Sequence, residues 1–238
     1  MRLRTHLEAG LLSALAELSF LHGQKVGKPS YELAAAVYAY AFLFPEGGGS
    51  APGRFDPRLR IAADLYNWAL MASFLSEDGS TVVPRSGAFD LPFGKIDVAF
   101  DPASLRAGDR ELYQFTPIAE LEVYGLAMRY RWAGIGAPLA ALSRPIDASK
   151  PGRDMVAPRL QVPLTALLRI PDARRTLVQG KPLESRLELH LAWDGESVDI
   201  AGERVPLENE PSAALALTFT GVPVKEVEML GFLRRVSG

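Results

Sequence analysis

Three histidines, three acidic pairs, one glycine–serine loop and one glycine-rich turn are where this chain carries residue types that do chemistry. The histidines are His6, His22 and His190, and none stands in an H-x-x-x-H spacing with a carboxylate, so no zinc-type ligand set is expected. His22 falls near a helix end, where an imidazolium suits the dipole. His190 alternates with Leu189 and Leu191, which puts it on the polar side of a strand. Carboxylates pair at Glu120/Glu122, Glu208/Glu210 and Glu226/Glu228. On a strand this spacing points both groups to one face, which a glycosidase can use, but its acid pair usually comes from separate strands. A solvated face explains the pairs as well.

A serine hydrolase of the α/β type needs G-x-S-x-G at a strained strand-to-helix turn. The nearest approach, Gly48-Gly49-Ser50-Ala51-Pro52, ends in proline and lies between helical segments, so Ser50 is not expected to be a nucleophile. Gly134-Ile135-Gly136-Ala137-Pro138-Leu139 has the start of a phosphate loop without its lysine, third glycine or following helix. Close backbone packing accounts for those glycines. Arg129, Arg131 and Arg144 flank the turn and leave anion contact open.

The elements that must position these residues divide the chain in two. Leu11, Leu15 and Leu18, with Leu12, Ala16 and Phe20 beside them, follow helical spacing. Gly23, Gly27 and Pro29 break it, and Ser30 is the expected cap of a second helix, Tyr31 to Phe44. That helix is apolar on nearly every face and must be sandwiched. After the Gly47–Gly53 loop, Asp56 and Pro57 open a third helix through Ile61, Leu65, Trp68 and Ala72. Leu59, Ala63 and Tyr66 have the spacing of one tetratricopeptide helix, without a 34-residue partner. From about Ser76 the texture turns to short strands at 96–100, 120–124, 160–168, 186–193 and 197–205. Asp194-Gly195 and Ala201-Gly202 read as turns, and Pro211 to Phe219 as a closing helix. The expected class is α+β: a helical hairpin layer (residues 1–76) packed on a mainly antiparallel β-sandwich or curled sheet (77–238), unfolding as one unit.

Bulk properties set the limits. The 238 residues are 48% hydrophobic and 23% charged, with a formal charge of −2 and no cysteine. A chain of this mass hides roughly 70% of its surface on folding, enough for a full core. Disulfides, thiolate metal sites and a cysteine nucleophile are excluded. Near-neutral charge gives no electrostatic reason for a nucleic-acid partner. The longest apolar run, Leu33 to Phe44, is well short of the ~20 residues that span a bilayer, and Glu8 and Glu17 interrupt any signal-like start.

Six segments occur in a telling order: 33–45 (LAAAVYAYAFLFP), 63–67 (ADLYN), 91–94 (LPFG), 134–139 (GIGAPL), 162–169 (VPLTALLR) and 205–208 (VPLE). From about Leu15 to Phe232 this order resembles the amino-terminal region of a group of large bacterial lipase-like α/β-hydrolases. The resemblance implies an envelope or exported parent with a signal upstream and the serine-bearing hydrolase domain downstream. None of the family's catalytic positions falls in this chain, so none is carried over.

The expectation is therefore a soluble, non-catalytic accessory domain that packs on or gates its parent's hydrolase domain, with no cofactor and no metal. Its contact patch is expected at Val224, Val227 and Phe232, beside Met229 and Leu230, where the chain would pass into the hydrolase. The alternative is a stand-alone helical-repeat-like peptide-binding module, with Tyr31, Tyr38, Tyr40, Tyr66 and Trp68 as aromatic anchors, though core packing is the expected fate of most of them.

Overall fold

The computed structural model describes residues 8–46, 52–53, 55–119, 130–147 and 159–219. Three helices open the chain: α1 (Ala9–Val26), α2 (Pro29–Leu43) and α3 (Arg58–Ser73). Helix α1 stops at Gly27, whose positive φ of 62° makes a left-handed cap. Helix α2 starts two residues earlier than expected, because Pro29 takes the first helical position and Lys28 the cap; Ser30 lies inside it. Asp56 does act at the start of α3, its Oδ1 accepting from the Arg58 amide at 3.0 Å. Alanine-rich α2 lies between α1 and α3 and is buried from Leu33 to Phe42 except at Tyr38, as its all-round apolarity requires.

The remaining chain forms β1 (Gly87–Leu91), β2 (Gly94–Phe100), a single 3₁₀ turn at Pro102–Leu105, β3 (Arg106–Ala107), β4 (Arg110–Pro117), β5 (Ala137–Pro145), β6 (Val162–Arg169), α4 (Ala173–Gln179), β7 (Leu183–Leu191), β8 (Ser197–Ile200), β9 (Glu203–Pro206) and α5 (Pro211–Phe219). Seven strands make one sheet in the order β1-β2-β7-β6-β5-β4-β3, and β8-β9 make a separate hairpin. The class is α+β. Every neighbouring pair is antiparallel except β2 and β7, which run parallel. That pair joins two hairpin-built halves, so no tight turn dictates its direction. The strand expected at 197–205 is the β8–β9 hairpin, turning at Ala201-Gly202. The 120–124 strand falls outside the described residues.

Helices α2 and α3 cover the sheet face carrying Ile96, Leu139, Leu164, Ala166 and Leu187, all buried. One apolar cluster runs from Leu12 through α2 and α3 into these strands, so both halves of the sequence share a core. Polar ties reinforce the junction. Arg174 of α4 is buried and donates to the carbonyls of Ala41 and Phe42, closing the C-terminal end of α2 with a cation. Tyr66 of α3 fills a fork in the sheet. Pairing of β5 with β6 stops at Ala137↔Ala166, and there the Tyr66 hydroxyl donates to Leu168 O at 2.7 Å and accepts from Leu168 N at 2.8 Å. A side chain thus replaces a missing strand partner.

The chain before β5 leaves the sheet to meet the segment after β9. Trp132 and Asn209 exchange backbone hydrogen bonds of 2.9 and 3.0 Å, and Ile135 bridges Pro206 and Glu208. The opposite sheet face is therefore half covered: α5 sits on Ala140 and Ile118, and Thr165 of β6 lies beneath the 207–210 segment. Over β7, β2 and β1 that face is open.

Candidate functional site

The sequence offered Glu208 and Glu210 as a solvated or catalytic pair, and the structure corrects both readings: each is only 1% exposed. The Arg131 guanidinium bonds the Glu208 carboxylate, lies 3.7 Å from Glu210 and 3.4 Å from Asp64 of α3. Glu208 Oε2 also accepts from the Gly134 amide at 2.7 Å. Asn67 of α3 donates to Gly134 O at 3.1 Å and accepts from Gly136 N at 2.6 Å. Two carboxylates neutralised by one arginine do not frame a substrate from opposite sides, as glycoside cleavage requires. This cluster is a clamp. It fastens α3 to the two segments that cross outside the sheet.

The glycine-rich turn is part of that clamp. A Cβ on Gly134 would stand 2.4 Å from Leu207 C and Pro206 O, and one on Gly136 (φ 105°) 2.5 Å from Thr165 Cγ2. Close backbone packing is what the glycines serve. Of the arginines beside it, Arg131 is spent on Glu208, Arg144 pairs with Glu111 at 2.7 Å, and Arg129 lies outside the described residues.

His190 is on the polar face of β7, as its alternation predicts. Its Nε2 lies 3.0 Å from Glu188 Oε2, and Arg169 holds the same carboxylate through two bonds of 3.0 and 3.2 Å. Burial raises the Glu188 pKa, but the His190 and Arg169 bonds outweigh it and bring the carboxyl down to about 2. Arg169 and Glu188 border an open basin of about 790 Å³ lined also by Ala88 and Ala99. Ser104 shares the adjoining hollow with His190, yet its hydroxyl donates to Asp101 O at 2.6 Å, within its own turn. A nucleophile needs its base in hydrogen-bond reach, and this serine is not so placed. Ser50, Glu120, Glu122, Glu226 and Glu228 lie outside the described residues. Among the described residues no group of three His, Asp or Glu side chains comes together to hold a metal, and no helix is long and apolar enough to cross a membrane.

The feature that sequence reasoning missed is on the helical layer. Helix α1 has two apolar sides. Leu12 and Ala16 go inward onto α2, whereas Leu11, Leu18 and Leu21 point outward, 51%, 64% and 65% exposed. Ile61 and Trp68 of α3 extend this surface, with Trp68 stacked on Phe20 at 6.3 Å. Between the helices runs a hollow of about 320 Å³ whose polar side chains are Glu17 and Asp64. The exposed parts of these five residues amount to roughly 500 Å², near the upper end of what a monomer leaves uncovered. The signal was present in the sequence: the apolar stripe of α1 is wider than one contact face can bury.

The expected patch at Val224, Val227 and Phe232 lies outside the described residues. Of the aromatic anchors, Tyr40 and Tyr66 are wholly in the core, Tyr38 and Tyr31 are half-buried, and Trp68 alone among them lies on the apolar surface. No protein-family model, no curated protein and no solved structure matches this chain.

Proposed function

We propose that this chain is a non-catalytic accessory domain of a bacterial lipase- or esterase-like serine hydrolase, packing on or gating the hydrolase domain of its parent and meeting other protein through its helical layer. The observation that carries the interaction reading is the outward face of α1 and α3, where Leu11, Leu18, Leu21, Ile61 and Trp68 are all exposed. Two further points support it. The polar clusters of the described residues are engaged in holding elements together: Arg131–Glu208 clamps α3, and Arg169 ties Glu188 to the carbonyl of Asp199 at 2.6 Å. The ordered resemblance of six segments supplies the hydrolase context.

The test has two arms. Purified chain is assayed on short- and long-chain p-nitrophenyl esters, where it should match buffer; turnover that survives repurification overturns the non-catalytic reading. It is then added to a G-x-S-x-G-bearing hydrolase domain encoded in the same or adjoining reading frame. The accessory role predicts a changed ratio of long- to short-chain activity. An unchanged ratio, with no new protection from hydrogen exchange on the chain, overturns it.

A further inference from the structure

We infer that the outward ridge of α1 is covered by the same ridge of a second copy of this chain, the two helices antiparallel with Leu18 of one against Leu21 of the other. This rests on reading the helical layer as a docking face, and it names the occupant.

The ridge has the spacing of a helix-pairing seam. Leu11, Ala14, Leu18, Leu21 and Lys25 alternate steps of three and four along α1, a strict heptad stripe, and all five are exposed. None of them is needed by α2, which takes Leu12 and Ala16. A two-fold interface demands that one patch be its own complement. Here Leu21 lines the hollow formed with Phe20, Ile61 and Trp68, and Leu18 protrudes three residues before it, so each copy offers both protrusion and recess.

Charge selects the direction. Glu17 flanks the middle of the ridge and Lys25 ends it, and among the described residues neither is in an ion pair. A parallel, in-register pair would set Lys25 against Lys25 across the seam. Turning one helix round about the midpoint of Leu18 and Leu21 sets Lys25 opposite Ala14 of the other copy, less than one turn from its Glu17. This happens twice by symmetry, with the helix dipoles opposed as well. An anionic membrane surface is disfavoured by Glu17, which flanks the middle of the ridge where such a surface needs basic residues.

Area agrees with this occupant. A standard interface hides about 800 Å² per partner, some 56–65% of it apolar, which is roughly 450–520 Å². The uncovered apolar surface of the helical layer is of that size.

The absence of native cysteine makes the register directly readable. Sedimentation velocity on the full chain at about 100 µM should show a dimer in the micromolar range of affinity. Leu18→Glu should weaken it about 100-fold while leaving the thermal midpoint unchanged at protein concentrations well below the dimer Kd, since Leu18 is largely exposed. Glu17→Lys should weaken it roughly 5-fold, and adding Lys25→Glu should restore it. Mixing Ala14→Cys chains with Lys25→Cys chains should yield the mixed disulfide over either homodisulfide. A monomer at about 100 µM, a dimer indifferent to Leu18→Glu, or a preference for homodisulfides overturns the inference. If the chain is monomeric yet still alters the hydrolase domain, the occupant is wrong and the accessory reading stands; if it dimerises as described without altering the hydrolase, the reverse holds.

Discussion

Tyr66→Phe removes one oxygen from the fork where β5 leaves β6, and the structure sets its cost. The hydroxyl is fully buried and makes two bonds to one residue, donating to Leu168 O at 2.7 Å and accepting from Leu168 N at 2.8 Å. Losing two such bonds costs about 1 kcal/mol each, and leaving a backbone donor and acceptor unpaired in the interior adds a comparable desolvation penalty. The space vacated by one oxygen is too small for a full water to enter and repair the contact. The expected loss is therefore about 2–4 kcal/mol, which for a domain of this size lowers the thermal midpoint by roughly 5–15 °C. Burial holds the phenol far above its ordinary range, so it remains neutral and able to donate throughout any practical pH. Urea unfolding followed by circular dichroism and tryptophan fluorescence reads the change as a shift in midpoint at constant slope. Tyr113→Phe, on an exposed part of β4, serves as the control and should stay within about 0.5 kcal/mol of the parent. A Tyr66→Phe variant as stable as that control would refute the idea that a side chain completes the sheet.

Gly134→Ala should be among the most damaging small substitutions in the chain, costing about 2–4 kcal/mol in the same urea assay, because the added carbon meets backbone atoms that cannot rotate away. A midpoint unchanged from the parent would show that the 206–208 segment yields. Stability should also fall in acid through Glu188. Its carboxyl is lowered to about 2 from an ordinary 4.5, so its contribution is complete above about pH 4.5 and is lost as pH falls through 2. With the side chain about a fifth exposed, solvent screening leaves roughly 1–2 kcal/mol. Asp78 titrates in the same window, so the measurement is the difference between parent and Glu188→Gln from pH 6 to pH 2 (about four units), which should shrink as the pH drops. A difference that stays constant would refute the assignment.

Local signals in the sequence located most of the elements. The unbroken apolarity of 33–44 required a helix with neighbours on all sides, and α2 lies between α1 and α3 above the sheet. Ala201-Gly202 and Pro211 each mark a boundary where expected, and Asp56-Pro57 opens α3 one residue later, with Pro57 at the cap and Asp56 bonding the Arg58 amide. The alternation of β7 put His190 on the polar face because side-chain direction in a strand is a matter of parity alone.

What tertiary structure decided are relations between segments distant in the chain. Nothing near Ile96 indicates that it runs parallel to Leu183, because the seam between the two strand groups is not made by a turn. The pair Glu208/Glu210 has the local pattern of a wet face, and Arg131, 77 residues away from Glu208, draws it inside. Which side of the wide apolar stripe of α1 stays outward was decided only when Leu12 and Ala16 took the contact with α2, leaving Leu11, Leu18 and Leu21 largely exposed. Composition and periodicity determine which residues want burial and what backbone they favour. Which of them obtain it depends on how much surface the neighbouring elements can physically cover, and that is a property of the packed molecule.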